Sequence, residues 1–303
     1  MSEGASGSVQ HGSLKELARS MRMSQWAKNT LVFVPLLAAH EWGDSERAVA
    51  AAVAFGTLCM IASGTYLIND LLDIEADRGH PTKRFRPLAA GTISPFLAVS
   101  FAAVLIFTGL GFAAWYVGRS PALMLLAYLC VSLTYSVFLK RRMILDVIAL
   151  AGLFCHRILI GGVATQIEIS PWLLAFSLFL FMSLALVKRF IELDMVRKTE
   201  QAEIARRAYT AEDAEPIFTM GLVSGYLSIL VLCLFVSSDA VSELYENPTA
   251  LWAIPPIMLY WISRVWLLAR RGEIGDDPTA FALRDEVSYV CALAIGLVAI
   301  VSL

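Results

Sequence analysis

The 303-residue chain is 58% hydrophobic and carries a formal net charge of only −2, and its mean hydropathy is +0.67. Soluble domains contain about 45–50% apolar residues, so this composition excludes an ordinary soluble protein and indicates a membrane protein. The near-neutral charge gives no indication of nucleic-acid binding, and we expect no nucleic-acid partner. The cysteines all lie in apolar stretches without a CxxC pair, which favours buried thiols over disulfides or a metal site.

The chain begins with a polar segment and continues as a series of apolar stretches. We predict a disordered cytoplasmic tail over residues 1–20, without a signal peptide, and a single membrane domain over residues 21–303. The fold class is all-α, a polytopic bundle of membrane-spanning helices. Stretches long enough to cross a bilayer, roughly 20 residues each, predict about nine transmembrane helices, near residues 27–42, 47–69, 93–117, 120–139, 144–165, 170–191, 217–237, 249–268 and 285–303.

The charged connections between these stretches alternate along the chain. Most of the 24 Lys and Arg residues lie on the side that carries the N-terminus, and only Arg47 and Arg119 lie in connections on the other side. The positive-inside rule therefore predicts a multi-pass protein of the cell membrane (inner or plasma membrane) with a cytoplasmic N-terminus.

Carboxylates follow the second predicted span at helical spacing. A helix that continued through this segment would place Asn69, Asp73 and Asp77 on one face, with Asp70 close by. Carboxylates spaced in this way repel one another unless a cation lies between them. Because Mg²⁺ takes oxygen ligands and completes its shell with water and phosphate, we predict Asn69, Asp70, Asp73 and Asp77 as Mg²⁺ ligands at the cytoplasmic end of this helix.

A basic run follows the carboxylates directly, and it contains Lys83, Arg84 and Arg86. A charged helix end that reaches solvent is one interpretation of this pattern. Acidic metal ligands followed at once by three cations favour the other interpretation, a site for a metal ion and a phosphate group.

The stretch from Asn69 to Asp77 resembles the Asn-Asp-x-x-Asp-x-x-x-Asp signature of the UbiA superfamily of intramembrane prenyltransferases. The resemblance implies a helical bundle around a central cavity that opens to the cytoplasm and laterally to lipid. It also implies catalytic roles for Asn69, Asp73 and Asp77.

The end of the sixth predicted span departs from the superfamily members that prenylate aromatic rings. Those members carry a second aspartate-rich motif on a later helix. At the corresponding place this chain has Lys188 and Arg189, followed by Glu192 and Asp194. Two cations in that place put a prenyl diphosphate donor in doubt and suit a substrate with an additional phosphate.

Four further segments, near residues 25–29, 77–91, 157–165 and 281–285, resemble the decaprenyl-phosphate phosphoribosyltransferase branch of the superfamily. This resemblance implies Mg²⁺-dependent transfer of 5-phosphoribose from phosphoribosyl pyrophosphate to a polyprenyl phosphate lipid, with release of pyrophosphate. The product would serve arabinan or other cell-envelope precursor synthesis. The acceptor phosphate is already anionic at neutral pH, so the reaction demands no strong general base.

Several cations are candidates for substrate phosphates. We predict donor contacts for Lys83, Arg84, Lys188 and Arg189, and contacts with either the donor or the lipid phosphate for Lys28 and Lys140. Tyr135 and Lys140 could also be an ordinary interfacial helix end, and only the resemblance assigns them to the substrate. Arg157 lies deep in a span, at an insertion cost of about 2.5–3.5 kcal/mol. It therefore contacts either a substrate phosphate or a structural carboxylate.

Two polar connections have alternative interpretations. The segment 199–216 is either a solvated connecting helix or a lid over the cavity, and the loop with Asp276 and Asp277 is equally ambiguous. A homo-oligomer is left open by the sequence.

Two rival functions are compatible with a helical membrane bundle. The first is a UbiA-type enzyme that transfers a prenyl group from its diphosphate to an aromatic or other small acceptor. The second is a secondary transporter, in which charges would line a path across the membrane. The charges here concentrate at one set of helix ends, which disfavours transport.

Overall fold

In a computed structural model of the chain, the described residues are 9–79, 82–198, 208–275 and 278–303. Their regular elements are all helices, as predicted. The α-helices among them are α1 (Val9–Ser20), α2 (Val34–Ala38), α3 (Ser45–Leu72), α4 (Ile74–Arg78), α5 (Pro95–Tyr116), α6 (Arg119–Val137), α7 (Leu145–Thr165), α8 (Pro171–Lys198), α9 (Ala214–Val236), α10 (Asp239–Leu244), α11 (Ile254–Arg271), α12 (Pro278–Ala282) and α13 (Glu286–Ser302). Short 3₁₀ segments extend or join several of them, at Met23–Phe33, Lys83–Phe85, Leu139–Arg141, Ala211–Asp213 and Pro248–Ala253.

Within the described part of the chain, 7 helices are long and apolar enough to cross a membrane. They correspond to the second through eighth predicted spans. The ninth predicted span is the shorter apolar helix α13, of 17 residues, which is about 26 Å long at 1.5 Å per residue. The predicted number of about nine spanning helices is therefore not confirmed.

The first predicted span, residues 27–42, does not form one long α-helix. Its chain forms the 3₁₀ helix Met23–Phe33 and then the five-residue helix α2. Pro35 lies at the start of α2 and has no N–H to donate to the preceding turn. His40 follows α2 with a positive φ of 59°, a backbone conformation that a helix cannot contain.

The predicted disordered tail is wrong over Val9–Ser20, which forms α1. The tail prediction rested on polarity and overlooked the apolar residues near its end. Leu17 is buried, and it packs in a cluster with Leu67 of α3 and Leu88, so apolar contacts hold this end of the helix. Residues 1–8, most of the predicted connecting segment (199–207) and the loop residues Asp276 and Asp277 lie outside the described residues.

The chain divides into two compact units. Unit 1 comprises residues 1–137 and 156–168, and unit 2 comprises residues 138–155 and 169–303. Within unit 1, α3 packs closely against α5 through small residues. A Cβ on Gly64 would lie 3.1 Å from the Ala102 carbonyl oxygen, and one on Gly109 would lie 3.2 Å from the Thr57 carbonyl oxygen. Small residues at these positions let the two helix backbones approach each other, as is common between membrane helices.

Unit 2 has its own apolar core around Trp266, which is 1% exposed and contacts residues of α8 and α9. The Trp266 indole donates to the Ser183 hydroxyl at 3.0 Å, and that hydroxyl donates to the Gly221 carbonyl at 2.7 Å. A buried indole N–H needs such a partner, because an unpaired polar group away from water costs about 1–3 kcal/mol.

Large apolar side chains also cover outward faces of the long helices. Phe96, Phe107 and Trp115 on α5 are 82%, 74% and 81% exposed, respectively. Exposed aromatic rings on a uniformly apolar helix are typical of contact with lipid rather than with water. Together with the seven long apolar helices, this pattern identifies an integral membrane protein.

Candidate functional site

The predicted carboxylate cluster lies where α3 gives way to α4. Asp73 is the residue between the two helices, with φ −103° and ψ 7°. The helical hydrogen bonds nevertheless continue through the break, because the Asp73 N–H donates to the Asn69 carbonyl at 3.0 Å and the Asp77 N–H donates to the Asp73 carbonyl at 2.8 Å. Asn69, Asp73 and Asp77 therefore follow one another at intervals of one helical turn.

Two carboxylates of this cluster converge on one arginine. Arg86 Nη1 donates to Asp70 Oδ1 at 3.1 Å and to Asp77 Oδ2 at 2.6 Å. Arg22 Nη2 also donates to Asp70 Oδ1, and the Arg22 guanidinium lies over the Tyr66 ring, 5.2 Å from its centroid. We call these four residues (Asp70, Asp77, Arg22 and Arg86) the helix-end cluster.

Burial explains why the carboxylates of the helix-end cluster need cationic partners. Asp70 and Asp77 are 4% and 5% exposed, and removing an ionised carboxylate from water is costly unless an opposite charge compensates it. The side chains of Arg22 and Arg86 remain about a quarter exposed. Burial lowers the pKa of Arg22, whereas the Asp70 carboxylate raises it, and a guanidinium in such a pair keeps its charge.

A cavity of about 190 Å³ opens beside this cluster. Ligand pockets for drug-sized molecules usually measure about 300–1,000 Å³, so this space suits a phosphate group and a few waters rather than a whole lipid. Its wall combines cations with one carboxylate and hydroxyl groups, from Arg19, Ser20, Arg22, Asp70, Thr82, Phe85, Arg86 and Pro87.

The carboxylates of the helix-end cluster supply oxygen ligands of the kind that a divalent cation binds. They do not form a complete metal site in advance. Among the described residues, no group of three or more His, Cys, Asp or Glu side chains is arranged to hold a metal ion. However, one oxygen of Asp70 and one of Asp77 point at the same guanidinium nitrogen, so a positive charge already occupies the place between them. Since Mg²⁺ usually takes only one or two carboxylates, this pair satisfies its protein requirement.

Arg86 of the basic run contacts these carboxylates, and sequence reasoning did not single it out as a substrate residue. Lys83 and Arg84 lie in the 3₁₀ helix Lys83–Phe85 and are exposed, and the Arg84 guanidinium lies 4.8 Å from the Phe85 ring centroid. The sequence shows three cations after the carboxylates, but it does not show which of their side chains contact the carboxylates. The prediction that Lys83 and Arg84 bind donor phosphates stays untested.

The predicted residue Arg157 is buried in unit 1, where it donates to two neutral side chains. Its Nε donates to Asn29 Oδ1 at 2.9 Å, its Nη2 donates to the Tyr128 hydroxyl at 2.9 Å, and it lies 5.1 Å from the Tyr128 ring centroid. Asn29 in turn donates to Cys59 Sγ at 3.2 Å. Sequence reasoning noted Asn29 only as part of a motif and missed Tyr128. Both predicted roles of Arg157, phosphate contact and structural pairing, remain predictions.

Arg189 is fully buried in unit 2 and pairs with two carboxylates, of which Glu192 is 25% exposed. Its Nη2 pairs with Asp146 Oδ2 at 2.6 Å, both side chains are 0% exposed, and Nη1 pairs with Glu192. The Tyr209 hydroxyl donates to Asp146 Oδ1 at 2.7 Å and accepts the Ile144 N–H at 2.8 Å. Burial raises the pKa of Tyr209, and its hydrogen bond to Asp146 raises it further. We call Asp146, Arg189, Glu192 and Tyr209 the buried cluster.

The buried cluster differs from the surroundings that we expected for a phosphate-binding arginine. We predicted that Arg189 contacts the donor. In the structure Arg189 pairs with Asp146, and its predicted donor contact stays a prediction. Asp194, one of the acidic residues after Arg189, is buried and pairs with Arg197 at 3.3 Å.

The remaining predicted substrate residues are half-buried. Lys28 lies in the 3₁₀ helix of unit 1 and Tyr135 lies on α6 of the same unit, whereas Lys140 and Lys188 belong to unit 2. Each has a side chain that is accessible in part, and their predicted phosphate contacts stay untested.

The sequence profile of the UbiA prenyltransferase family matches residues 30–285. The chain belongs to this family. It is therefore a UbiA-family transferase, and the resemblance inferred from Asn69 to Asp77 is confirmed at the level of the family.

Several relatives of this UbiA-family chain are known by sequence. An uncharacterized protein of Sinorhizobium fredii, y4nM, is 39% identical over 91% of the chain, but the chain spans only 54% of that relative's length. The nodulation protein NoeC of Azorhizobium caulinodans is 35% identical over 91% of the chain and 90% of the relative. Decaprenyl-phosphate phosphoribosyltransferase of Mycolicibacterium smegmatis is 32% identical over 92% of the chain and 89% of the relative. The predicted resemblance to that branch is thus confirmed.

A solved structure shares the fold of this UbiA-family chain. It is a UbiA homolog from Archaeoglobus fulgidus that was solved with GPP and Mg²⁺ bound, and it superimposes with a TM-score of 0.67 over 94% of this chain and 99% of that one. At 16% identity the likeness concerns the fold alone.

Proposed function

We propose that the chain transfers a 5-phosphoribosyl group from phosphoribosyl pyrophosphate to the phosphate of a polyprenyl lipid. The observation that carries the proposal is the helix-end cluster: two buried carboxylate groups converge on a cation beside a cavity of about 190 Å³. Such a site suits the pyrophosphate of a donor, because carboxylates that can bind a metal ion lie beside cations that can bind phosphate. The 32% identity to decaprenyl-phosphate phosphoribosyltransferase supports this choice of donor and acceptor.

Asp70 and Asp77 would hold Mg²⁺ in this reaction, with Asn69 and Asp73 as the further predicted ligands. When bound, Mg²⁺ would stabilise the negative charge that develops on the departing pyrophosphate. The residues of the chain then have two tasks, to hold the donor phosphates and to bring the lipid phosphate to ribose C1. Arg157 is a further candidate for either phosphate, and its guanidinium donates to Asn29 and to Tyr128.

The proposed transfer breaks one bond and forms one bond, and it needs no catalytic base. The bond between ribose C1 and the pyrophosphate oxygen breaks, and the electron pair leaves with pyrophosphate. A bond between ribose C1 and an oxygen of the lipid phosphate forms in its place. Because the lipid phosphate is already ionised at neutral pH, no proton has to be removed from the nucleophile.

The proposed lipid acceptor explains why the enzyme would lie in a membrane. A polyprenyl phosphate carries its phosphate at the membrane surface and its chain in the bilayer, so an enzyme that uses it has to reach both. The distribution of Lys and Arg supports a cytoplasmic position for the site in the cell membrane. We further propose that the product serves arabinan or other cell-envelope precursor synthesis.

A donor comparison tests the proposal. The purified full-length chain is supplied with Mg²⁺ and either phosphoribosyl pyrophosphate plus polyprenyl phosphate or a prenyl diphosphate plus an aromatic acceptor, and released pyrophosphate is measured. We expect release only with the first pair, and only when the lipid phosphate is present. Turnover with the prenyl diphosphate and none with phosphoribosyl pyrophosphate would establish the rival prenyltransferase function instead.

A further inference from the structure

The end of α1 is fixed against the rest of unit 1 at two points. Leu17 is buried and packs with Leu67 of α3 and with Leu88. Just beyond the last residue of α1, the Met21 carbonyl accepts a hydrogen bond from the Ser63 hydroxyl of α3 at 3.0 Å. Because α1 is anchored at both points, the side chains of its last turn have defined positions, unlike those of a disordered tail.

The chain bends sharply directly after α1, at Arg22. This residue has φ 52° and ψ 51°, the left-handed conformation that residues other than glycine rarely adopt. Arg19 lies in the last turn of α1, before the bend. Both residues line the cavity of about 190 Å³ beside the helix-end cluster. The anchored helix and the bend together place the two arginines in one cavity wall.

The three arginines that line the cavity differ in their partners. Arg22 and Arg86 both donate to Asp70. Arg19 Nη1 instead lies 3.7 Å from Glu16 Oε2 on its own helix, which is beyond hydrogen-bonding distance, and the Arg19 side chain is 60% exposed. Within the described residues, the Arg19 guanidinium donates no hydrogen bond to another side chain. Its N–H groups are therefore available to a ligand.

The charge of the cavity wall favours an anion. Its lining residues include three arginines and one carboxylate, Asp70, so the wall carries a net positive charge. Guanidinium groups bind phosphate oxygens through parallel N–H donors, and the cavity has room for a phosphate group and a few waters. Phosphate is therefore the ligand chemistry that suits both the charge and the size of the cavity.

We propose that Arg19 binds a phosphate group of the sugar donor, which makes α1 a part of the substrate site. The choice of the donor over the lipid rests on the proposed function, because the same cavity contains Asp70, beside which the donor pyrophosphate would lie. The donor carries phosphate at two places, the pyrophosphate on ribose C1 and the phosphate on ribose C5. Both offer Arg19 the same phosphate oxygens, and the experiment below distinguishes them.

Calorimetric titration of the detergent-purified full chain tests this assignment, with inorganic pyrophosphate and ribose 5-phosphate as separate probes. A chelator is present in every sample, so that contacts between a metal ion and the probe contribute nothing. The variants are Arg19→Gln, which removes the charge, and Arg19→Lys, which keeps the charge but loses the parallel donors.

Two exposed cations serve as matched controls, in the variants Lys15→Gln and Arg78→Gln. Lys15 lies one helical turn before Arg19 on α1. Arg78 pairs with Glu75 at the same spacing along the chain as Arg19 with Glu16. Neither control residue lines the cavity.

We expect Arg19→Gln to weaken the binding of at least one probe about tenfold, on the scale of one charge-assisted contact. The two controls should change it by no more than about twofold, and Arg19→Lys should fall between them and Arg19→Gln. The probe that loses affinity identifies which phosphate of the donor Arg19 contacts.

Kinetics separate a substrate contact from a structural role. In the transfer assay, Arg19→Gln should raise the KM for phosphoribosyl pyrophosphate about tenfold, while kcat and the KM for polyprenyl phosphate stay within about twofold of the wild type. A general disturbance of the fold would instead lower kcat or change both KM values.

The proposal is overturned if the wild type binds neither probe more tightly than Arg19→Gln does, or if the KM for polyprenyl phosphate rises in place of that for the donor. A failed donor comparison together with weaker pyrophosphate binding by Arg19→Gln would reject phosphoribosyl transfer and leave the phosphate contact standing. Successful transfer with unchanged binding and KM in Arg19→Gln would reject the contact alone.

Discussion

The helix-end cluster and the buried cluster use the same chemical groups in opposite ways. Both pair arginine with two carboxylates, but the Arg86 side chain is 26% exposed beside a cavity and the Arg189 side chain is 0% exposed. A buried ion pair whose members cannot reach water is a fixed part of the fold, whereas a pair with one exposed partner can exchange that partner. We therefore expect burial to separate an arginine that is fixed in the fold from one that can respond to a ligand.

The largest expected effect follows from breaking the buried cluster. Arg189→Met would leave the Asp146 carboxylate buried without its guanidinium, at a cost of about 3–5 kcal/mol of folding free energy. The measurement is thermal unfolding of the purified protein in detergent. Arg197→Met on the same helix is the control, because Arg197 is 54% exposed and its pair with Asp194 is worth about 0–1 kcal/mol.

A compensating change sharpens this prediction. Arg189→Met combined with Asp146→Asn removes both charges, so it should recover part of the stability that Arg189→Met alone loses. Equal unfolding temperatures for Arg189→Met and Arg197→Met would contradict a structural role for the buried cluster and would favour the predicted phosphate contact of Arg189.

The next largest effect concerns Asp77 in the helix-end cluster. Asp77→Asn keeps the shape of the side chain but removes the charge, and we expect transferase activity to fall about 100-fold, the scale on which enzymes lose a charge-stabilising group. Folding should persist, as judged by the elution profile of the purified protein. Glu75→Gln is the control on the same short helix, since Glu75 is exposed and pairs only at the surface with Arg78. A comparable loss in Glu75→Gln would remove the distinction between the two carboxylates.

Sequence patterns predicted the elements of this molecule better than its contacts. The seven long helices and the Asn69 to Asp77 repeat depend on local apolar length and helical spacing, which a sequence displays directly. The two arginines of the helix-end cluster are 48 and 16 residues from Asp70. Such pairs form only after the helices have packed, so the sequence could show that cations were available but not which of them would turn inward.

The same reason explains the other differences between prediction and structure. Arg157 finds its partner Asn29 at a separation of 128 residues, which no local pattern reveals. The first predicted span was apolar enough to cross a membrane, yet hydropathy cannot detect that its chain is a 3₁₀ helix followed by a short α-helix. Leu17 illustrates the reverse case, in which a contact with α3 orders a helix that its polar sequence did not suggest.

A smaller effect tests how closely unit 1 is packed near Arg157. Gly161 lies one turn beyond Arg157 on α7, and a Cβ there would overlap the Val32 carbonyl group. Because a backbone group cannot move aside easily, Gly161→Ala should cost about 1–3 kcal/mol of folding free energy. Gly152→Ala on the same helix meets nothing within 4 Å, so it should be neutral or stabilising by up to about 1 kcal/mol. Thermal unfolding distinguishes them, and equal unfolding temperatures would contradict the close approach.

The smallest effect is a pH dependence in unit 2. Arg264 donates to both oxygens of Asp285, at 2.7 and 2.9 Å, and this pairing holds the pKa of Asp285 below its usual value. A carboxylate whose folded-state pKa is lowered stabilises the protein above its unfolded-state pKa, and the contribution disappears as the pH falls through the folded-state pKa. Between about pH 5 and pH 3 the unfolding temperature of the wild type should therefore drop slightly more than that of Asp285→Asn. Parallel curves would show that the pair contributes nothing.

The most direct test of the whole account is transfer of labelled phosphoribose to the lipid. Phosphoribosyl pyrophosphate labelled in the ribose is incubated with polyprenyl phosphate and the wild-type chain or Asp77→Asn in nanodiscs, with Mg²⁺ or with a chelator, and the label in the lipid fraction is counted. The account predicts labelled lipid only with the wild type and Mg²⁺, at least about 100-fold above Asp77→Asn. Equal labelling by Asp77→Asn, or labelling that survives the chelator, would contradict it.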